Sequence, residues 1–208
     1  ALANDSLAEL NPKVTLEINH LARVRLATLA KKAGVKRYLL ASSCSVYGAQ
    51  SGTVTEDSTP APLSTYARAC LLAEKDILAL GGRSFVVNAL RQGTLYGVSP
   101  RMRFDLVVNT IALSIFKDHL VTINGGTQWR PLLHVEDSAR AFVHLMEAES
   151  AAVNGQIFNI GNTDQNFMIG DLAERVAVAS AQPFEIIKQK TGDARSYRVA
   201  FEKISQRT

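Results

Sequence analysis

The chain has 208 residues, of which 47% are hydrophobic and 20% are charged, and this composition is ordinary for a globular protein. Its net charge is +4 and its pI is about 9.2, but the basic residues are scattered, which disfavours nucleic-acid binding and fits a small anionic ligand better. No apolar run reaches about 18 residues and no secretory signal opens the sequence, so we expect neither a membrane span nor export.

The two cysteines, Cys44 and Cys70, stand alone in the sequence. In a chain without a secretory signal this favours free thiols over a disulfide, and it favours a cytoplasmic location. No spacing of histidines and cysteines is typical of zinc ligands, so no metal site is predicted.

The first predicted helix spans 12–33. Asn11 is a cap residue and Pro12 fits the first helical position, while Gly34 ends the helix. The apolar residues that recur at helical spacing inside it are Leu16, Leu21, Val24 and Leu29.

A short apolar run at 38–41 is typical of a buried strand in a parallel sheet. Ser42 and Ser43 follow its carboxyl end, and a second predicted helix, 64–80, carries Tyr66 in its first turn. Ligands of open α/β sheets bind just outside the carboxyl ends of the strands. A serine hydroxyl and a tyrosine phenol at that edge could flank a carbonyl or alcohol, one bonding it and the other moving its proton.

The remainder of the chain alternates between predicted strands and helices. Further strands are predicted at 84–90, 120–124, 156–161 and 184–187, and further helices at 106–116, 138–148 and 167–180. Asp137 is predicted to cap the 138–148 helix, which favours a packed rather than a catalytic His134.

Two motifs resemble the extended short-chain dehydrogenase/reductase family, the nucleotide-sugar epimerases and dehydratases. The first is SSCSVYG at 42–48, followed by Tyr66 as the tyrosine of Tyr-x-x-x-Lys. The second runs from Arg130 to Asp137 and is similar to Arg-x-x-x-His-Val-x-Asp, and the segment at 90–97 adds a match to Leu-Arg-x-x-Asn/Thr-x-Tyr-Gly. The resemblance spans nearly all of the chain.

The resemblance implies an α/β fold: a Rossmann-like parallel sheet truncated at its amino-terminal side, with a small C-terminal α/β substrate lobe. The implied domains are a partial dinucleotide-binding domain at 1–150, with substrate-lobe elements near 98–125, and a partial substrate lobe at 151–208. It also implies NAD or NADP as cofactor, a nucleotide-diphosphate sugar as substrate, and a homodimer through helices 12–33 and 64–80, whose apolar stripes motivate that pairing.

The resemblance makes Ser43 and Tyr66 the catalytic residues, and it places Tyr66 and Gln92 on the cofactor. The residues implied for the nucleotide diphosphate are Thr94, Asn109, Arg130 and Arg195. A planar guanidinium can grip two phosphate oxygens, as a lysine cannot. For Arg101, Arg103 and Asn109, near the amino end of helix 106–116, a phosphate contact and a solvated surface stay equally open.

The sequence also departs from the family pattern. Cys70 stands where the family has the lysine of Tyr-x-x-x-Lys, and no Gly-x-Gly-x-x-Gly loop for a pyrophosphate occurs. The first third of the cofactor domain is therefore expected to be missing. Asn19 is kept from the family's Asn-Val-x-Gly-Thr, with a structural and a functional role equally open, but the Gly-Thr is replaced by Ala22 and Arg23.

The dehydratase branch carries an Asp-Glu pair where this chain has Cys44 and Ser45, which argues against 4,6-dehydration. A free tyrosine titrates near 10, so about one in a thousand is phenolate at pH 7, and a nearby cation lowers the pKa by about one to three units. Cys70 supplies no such charge, Arg68 faces elsewhere, and Lys75 is more than two turns away.

Two alternatives stay open from the sequence. One is an NAD(P)-dependent nucleotide-sugar epimerase or reductase with impaired catalysis. The other is a non-catalytic relative that binds a nucleotide sugar, pairs with another subunit, or is only a folded remnant of the family. Without the glycine loop and the lysine, we expect weak or no nicotinamide-cofactor binding and almost no epimerase activity.

Overall fold

A computed structural model of the protein describes residues 2–3 and 5–208. The helices are α1 (Asp5–Glu9), α2 (Pro12–Leu16), α3 (Ala22–Lys32), α4 (Thr65–Leu78), α5 (Val107–Asp118), α6 (Val135–Glu147), α7 (Ser150–Val153), α8 (Ile169–Ser180) and α9 (Glu202–Arg207). The strands are β1 (Arg37–Ser43), β2 (Ala49–Val54), β3 (Val86–Gln92), β4 (Thr94–Tyr96), β5 (Leu120–Asn124), β6 (Trp129–His134), β7 (Gln156–Ile160), β8 (Asn166–Met168), β9 (Glu185–Gln189) and β10 (Ser196–Val199).

The central sheet has the order β1-β3-β7, and both of its pairings are parallel. One face packs on α3 and α4 through a cluster that includes Ala27, Ile77 and Val87. The opposite face packs on α6 and α7 through a cluster that includes Leu145 and Phe158. Helices on both faces explain why the central strand β3 is buried along nearly its whole length, and the predicted α/β class is confirmed.

Smaller sheets follow the central one. Strand β10 pairs with β2 and strand β9 with β5, both in parallel. Strand β6 lies between β4, to which it is parallel, and β8, to which it is antiparallel. A separate apolar cluster, including Ile115, Ile123 and Ala177, packs α5 and α8 against β5.

The predicted 12–33 helix is present, but it is not uniform. Asn11 caps it as expected, since its Oδ1 accepts from the Val14 amide at 3.1 Å, and Pro12 is its first residue. A five-residue π-helical turn, Glu17–Leu21, separates α2 from α3. Asn19 lies in this turn and is fully buried, with its side-chain amide bonded to both backbone groups of Leu2 at 2.9 and 2.7 Å.

Helix α6 begins three residues earlier than predicted, which changes its cap. The capping residue is His134, whose Nδ1 accepts from the Glu136 amide at 3.3 Å, so the prediction that Asp137 is the cap is wrong. Asp137 instead lies in the first turn, where a carboxylate is favoured by the helix dipole. The His134 ring also packs edge-on against Tyr96, with ring centroids 5.2 Å apart.

None of the helices within residues 2–3 and 5–208 has the length and apolar character that crossing a bilayer requires.

Candidate active site

Ser43 and Tyr66 meet at the carboxyl end of β1. Ser43 is the last residue of that strand and caps the 3₁₀ turn Cys44–Tyr47, where its Oγ accepts from the Ser45 amide at 3.2 Å. Tyr66 is the second residue of α4, whose amino end is fixed by Ser64 accepting from the Ala67 amide at 3.1 Å. The Ser43 hydroxyl is near enough to the phenol of Tyr66 to lower the pKa of that phenol. The structure thus brings together the two predicted catalytic residues.

The surroundings of Tyr66 favour its neutral phenol. Burial raises the pKa of Tyr66 well above its ordinary value, and the neighbouring Cys70 raises it further. The hydrogen bond with Ser43 and the positive charge of Arg23 oppose this rise, but they do not outweigh it. At neutral pH the phenol is therefore a proton donor.

Cys70 is fully buried one helical turn after Tyr66. Burial raises the pKa of its thiol, so the side chain is uncharged. Arg68, by contrast, is exposed and donates to the Thr65 hydroxyl at 3.0 Å, so it points away from Tyr66 as predicted.

Arg23 is a residue that the sequence interpretation missed. Its Nη1 lies 3.9 Å from the Cys70 Sγ and donates to the Ala41 carbonyl at 3.3 Å. The cations considered from the sequence, Arg68 and Lys75, lie on α4, whereas Arg23 reaches the site from α3. Its sequence signal was the replacement of the family's threonine by arginine in the predicted 12–33 helix.

Gln92 lies at the same edge of the sheet, since it pairs with Ser43 across β1 and β3. Its Oε1 accepts from the Ser138 hydroxyl at 2.5 Å, which ties the end of β3 to the first turn of α6. Thr94, the first residue of β4, is half-buried and pairs with Leu132 of β6.

Asn109 is buried and is engaged by the backbone. Its Nδ2 donates to the Arg103 carbonyl at 2.9 Å, and its Oδ1 accepts from the Gly97 amide at 3.4 Å. Arg103 forms a forked ion pair with Asp105 at 2.6 Å, and Arg101 is exposed. Asn109 therefore fastens the loop between β4 and α5 onto the start of α5.

Arg130 and Arg195 lie together, although 65 residues separate them in the chain. Arg130 donates to the Arg195 carbonyl at 2.6 Å and to Asp193 Oδ2 at 2.9 Å. Arg195 forms a two-pronged ion pair with the same carboxylate at 2.7 Å and also contacts Asp5. Two guanidinium groups are thus balanced by two carboxylates.

The charge of Asp193 is stabilised within this cluster. Burial raises the pKa of its carboxyl, but the hydrogen bonds from Arg195 and the charges of both arginines outweigh burial, so the pKa is lowered overall. The hydrogen bond with Asp193 raises the pKa of Arg195 in turn. Asp193 was not among the residues predicted from the sequence.

A second missed feature is the buried ion pair between Arg91 and Glu74. Arg91 Nη2 lies 2.7 Å from Glu74 Oε2, with 3% and 2% of the two side chains exposed. Ser42 donates to the same carboxylate at 2.5 Å, and Arg91 Nη1 donates to the Tyr47 hydroxyl at 3.0 Å. A glutamate on the apolar stripe of α4 was the signal, because a buried carboxylate requires a cationic partner.

A cleft of about 500 Å³ lies elsewhere, at the carboxyl ends of β6 and β7. Its lining includes His134, Asp137, Asp164 and Glu202, and it includes none of the predicted site residues. Among the described residues, no group of three His, Cys, Asp or Glu side chains could hold a metal ion. We therefore place the candidate site by its hydroxyl pair and not by this cleft.

Curated relatives share sequence over most of this chain. UDP-glucuronate 4-epimerase of Thermodesulfobacterium geofontis is 30% identical over 169 residues, which are 79% of this chain and 50% of the relative. UDP-glucuronic acid decarboxylase 1 of Arabidopsis thaliana is 32% identical over 178 residues, covering 80% of this chain and 39% of the relative. The chain thus spans half or less of the length of these curated relatives.

Solved structures share the fold. MoeE5 in complex with UDP-glucuronic acid and NAD is 31% identical with a TM-score of 0.81, covering 91% of this chain and 64% of that one. UDP-glucose 4-epimerase of Thermotoga maritima, solved with UDP-glucose, is 21% identical with a TM-score of 0.88, covering 99% and 68%. The latter likeness concerns the fold alone, and it confirms the predicted Rossmann-like architecture.

The model of the NAD dependent epimerase/dehydratase family matches residues 1–161. That match contains the hydroxyl pair at the end of β1, and it agrees with the family that the sequence motifs resemble. The chain belongs to the NAD-dependent epimerase/dehydratase family.

Proposed function

We propose that this chain carries the proton-transfer and substrate-binding parts of an NAD(P)-dependent nucleotide-sugar epimerase or reductase. The observation that supports this most strongly is the pairing of Ser43 and Tyr66 at the carboxyl end of β1. Ligands of parallel α/β sheets bind at this edge. Family membership and the relatives' UDP-sugar substrates point to the same chemistry.

The pair acts on one oxygen of the sugar. In the reductive direction, Ser43 donates a hydrogen bond to the sugar carbonyl and Tyr66 gives its phenolic proton to the oxygen as negative charge develops there. The neutral form of Tyr66, which its raised pKa favours, is the form that this step needs. In the oxidative direction Tyr66 must first be ionised, so that direction is the one impaired.

A nicotinamide cofactor, when bound, supplies the hydride for this chemistry. The residues of this chain that fit such a group are those proposed for its nicotinamide end, Tyr66 and Gln92. Gln92 lies opposite Ser43 at the same sheet edge, and because its amide oxygen already accepts from Ser138, only its amide nitrogen is left to contact the cofactor. No glycine-rich loop that could hold the pyrophosphate occurs in the 208 residues. Cofactor affinity of this chain by itself is accordingly expected to be low.

The arginine cluster is the proposed site for the nucleotide diphosphate, and Thr94 and Asn109 stay proposed substrate contacts. Arg130 and Arg195 provide planar, fully charged donors. Because Asp193 already bridges them, a diphosphate has to displace this carboxylate or share its donors. Its affinity then reflects an exchange of anions and not the filling of an empty site.

Calorimetric titration with UDP-glucuronic acid and with UDP tests this proposal. Binding should be lost in Arg130→Ala and retained in Arg140→Ala, whose exposed side chain lies on α6 away from the cluster. Asp193→Asn should bind more tightly than the wild type if the carboxylate competes with the diphosphate. Equal binding by Arg130→Ala and the wild type would show that the arginine is structural only.

The alternative function is a non-catalytic relative that binds a nucleotide sugar. The neutral thiol of Cys70 beside Tyr66 favours it, because the site then lacks the ammonium that the family motif supplies. Reduction of NAD to NADH on addition of a nucleotide sugar, followed by nicotinamide absorbance, separates the two functions, because the hydride leaves the sugar carbon as Tyr66 takes the hydroxyl proton. NADH formation that Tyr66→Phe abolishes would exclude the non-catalytic alternative.

We further propose a homodimer through the helices predicted at 12–33 and 64–80. Exposed apolar residues project from these helices as Ile18, Leu21, Leu26, Leu29 and Leu72. Such a patch is unusual on a monomer. Leu21→Glu with Leu29→Glu should convert a dimer to a monomer in sedimentation velocity, whereas Leu113→Glu on α5 should not; a monomeric wild type at micromolar concentration would refute this.

The division into a 1–150 domain and a 151–208 lobe remains a proposal, and β7 extends the first sheet across that boundary. The free thiols of Cys44 and Cys70 support a cytoplasmic setting for this function, where thiols stay reduced.

A further inference from the structure

Arg23 differs from Arg91, Arg130 and Arg195 because no carboxylate among the described residues neutralises its charge. Arg91, Arg130 and Arg195 each contact a carboxylate. Arg23 is half-buried, yet among the described residues its guanidinium contacts no carboxylate. A partly buried charge without a counter-ion destabilises the fold, and a functional role would account for keeping it.

The guanidinium lies between the two elements that carry the catalytic pair. Its Nη1 donates to the carbonyl of Ala41, two residues before Ser43 on β1. The same nitrogen lies 3.9 Å from the Sγ of Cys70, one helical turn after Tyr66 on α4. The guanidinium therefore contacts both β1 and α4, and its positive charge lowers the pKa of Tyr66.

The two contacting positions are both departures from the family motifs. Cys70 replaces the lysine of Tyr-x-x-x-Lys, and Arg23 replaces the threonine of Asn-Val-x-Gly-Thr. A thiol is shorter than a lysine and carries no charge, so it leaves space for a guanidinium and does not repel it. A lysine at position 70 would instead place an ammonium against Arg23, and two cations at that separation repel strongly.

We propose that Arg23 is the positioning cation of this site: it replaces the absent lysine and stabilises the negative charge that Tyr66 carries during proton transfer. This inference rests on the proposed function, since it gives Tyr66 a catalytic role. It adds that Arg23 and Cys70 work as a matched pair and that the site has not lost its cation.

Other groups around Tyr66 also affect its ionisation. Arg103, from the loop after β4, is a positive charge that interacts with Tyr66, and the Ser43 hydroxyl lowers the pKa of Tyr66. The titratable side chains in the apolar cluster against which Tyr66 packs are Cys44, Tyr47, Cys70 and Tyr197. Burial raises the pKa of each of these four, so none adds a negative charge near neutral pH.

The test is a direct titration of residue 66. A fluorinated tyrosine, whose phenol is more acidic than that of tyrosine, is incorporated at position 66 and followed by ¹⁹F NMR against pH. Arg23→Gln should raise the pKa of this phenol by about one unit or more, and Arg23→Lys should largely preserve it. Arg25→Gln is the matched control, because Arg25 is an exposed arginine on the same helix and should leave the titration unchanged.

A shift in Arg23→Gln no larger than in Arg25→Gln would overturn the proposal. A larger shift in Arg103→Gln than in Arg23→Gln would also overturn it, because the loop would then supply the cation. The titration requires no nucleotide, so the failure of nucleotide binding and the failure of this inference are distinguishable.

A second measurement tests whether the residues at positions 23 and 70 depend on each other. Cys70→Lys should lower the thermal midpoint in the presence of Arg23, and combining it with Arg23→Thr should recover most of the loss. An equal loss in the single and the double variant would show that the two positions are independent, and would overturn the pairing.

Discussion

The ion pair between Arg91 and Glu74 provides the sharpest test of what holds the candidate site in place. The carboxylate accepts from Arg91 through Nε at 3.0 and 3.2 Å and through Nη2 at 2.7 Å. Arg91→Met removes all of these donors and leaves only the Ser42 hydroxyl, at 2.5 Å. Removing one partner of a buried ion pair costs about 3–5 kcal/mol, because the other charge stays buried without compensation.

That loss is a large part of the 5–15 kcal/mol by which domains of this size are usually stable. The assay is urea denaturation, followed by tryptophan fluorescence, since the chain has one tryptophan. Arg140→Met is the control: its ion pair with Asp137 has 76% and 56% of the side chains exposed, so its loss should cost less than about 1 kcal/mol.

The double variant Arg91→Met with Glu74→Met decides how the loss arises. Replacing a buried ion pair by apolar side chains of similar size is often close to neutral, so most of the stability should return. If the double variant is as unstable as Arg91→Met alone, the uncompensated charge on Glu74 is not the cause, and the reasoning is refuted.

Three further predictions concern single positions. Asn88 is fully buried and its side-chain amide has no partner among the described residues, so Asn88→Leu should raise the free energy of unfolding by about 1–3 kcal/mol in urea denaturation; a decrease would contradict this. Gly48 has φ +69°, and a Cβ there would lie 1.9 Å from the Ala61 carbonyl oxygen, so Gly48→Ala should lower the thermal midpoint strongly, whereas Gly52→Ala, with open space around it, should not. The pKa of Asp193 is lowered in the folded protein, so its charge stabilises the fold above the unfolded pKa of about 3.9, and this contribution is lost as pH falls through the folded pKa. The difference in thermal midpoint between the wild type and Asp193→Asn should therefore shrink below about pH 4. A difference that widens there would contradict this prediction.

Local sequence signals predicted the longer helices and every second strand, β1, β3, β5, β7 and β9, but not the strands between them. The start of α2 follows from Asn11 and Pro12, whereas β1 continues past the predicted apolar run through Ser42 and Ser43. Ser43 and Tyr66 could be paired from sequence because the carboxyl end of a parallel strand and the start of the next helix lie at one sheet edge. The predicted capping residue of α6, Asp137, was wrong because the helix begins three residues earlier and the ring nitrogen of His134 accepts the capping hydrogen bond.

The partners of the charged residues could not be predicted in the same way. Glu74 and Arg91 are 17 residues apart, and Arg130 and Asp193 are 63 residues apart, so their meeting depends on the tertiary fold. Arg130 and Arg195 were predicted as diphosphate contacts without carboxylate partners. Those partners are Asp5 of α1 and Asp193 of the segment before β10, and they reach the arginines only through the tertiary fold.

The contact between Arg23 and Cys70 bears on whether the missing lysine marks a decayed site. If the replacement of the family's lysine by Cys70 were an isolated change, it would not explain why Arg23 lies between β1 and α4 without a carboxylate partner. A coupled change accounts for both positions at once, because each one is compatible with its neighbour and incompatible with the neighbour's usual residue. The site then keeps a hydroxyl, a phenol and a cation, with the cation delivered from α3 instead of α4. On this argument the loss of Tyr-x-x-x-Lys does not by itself make the protein inactive, and the ionisation of Tyr66 in Arg23→Gln is the quantity that separates a rebuilt site from a lost one.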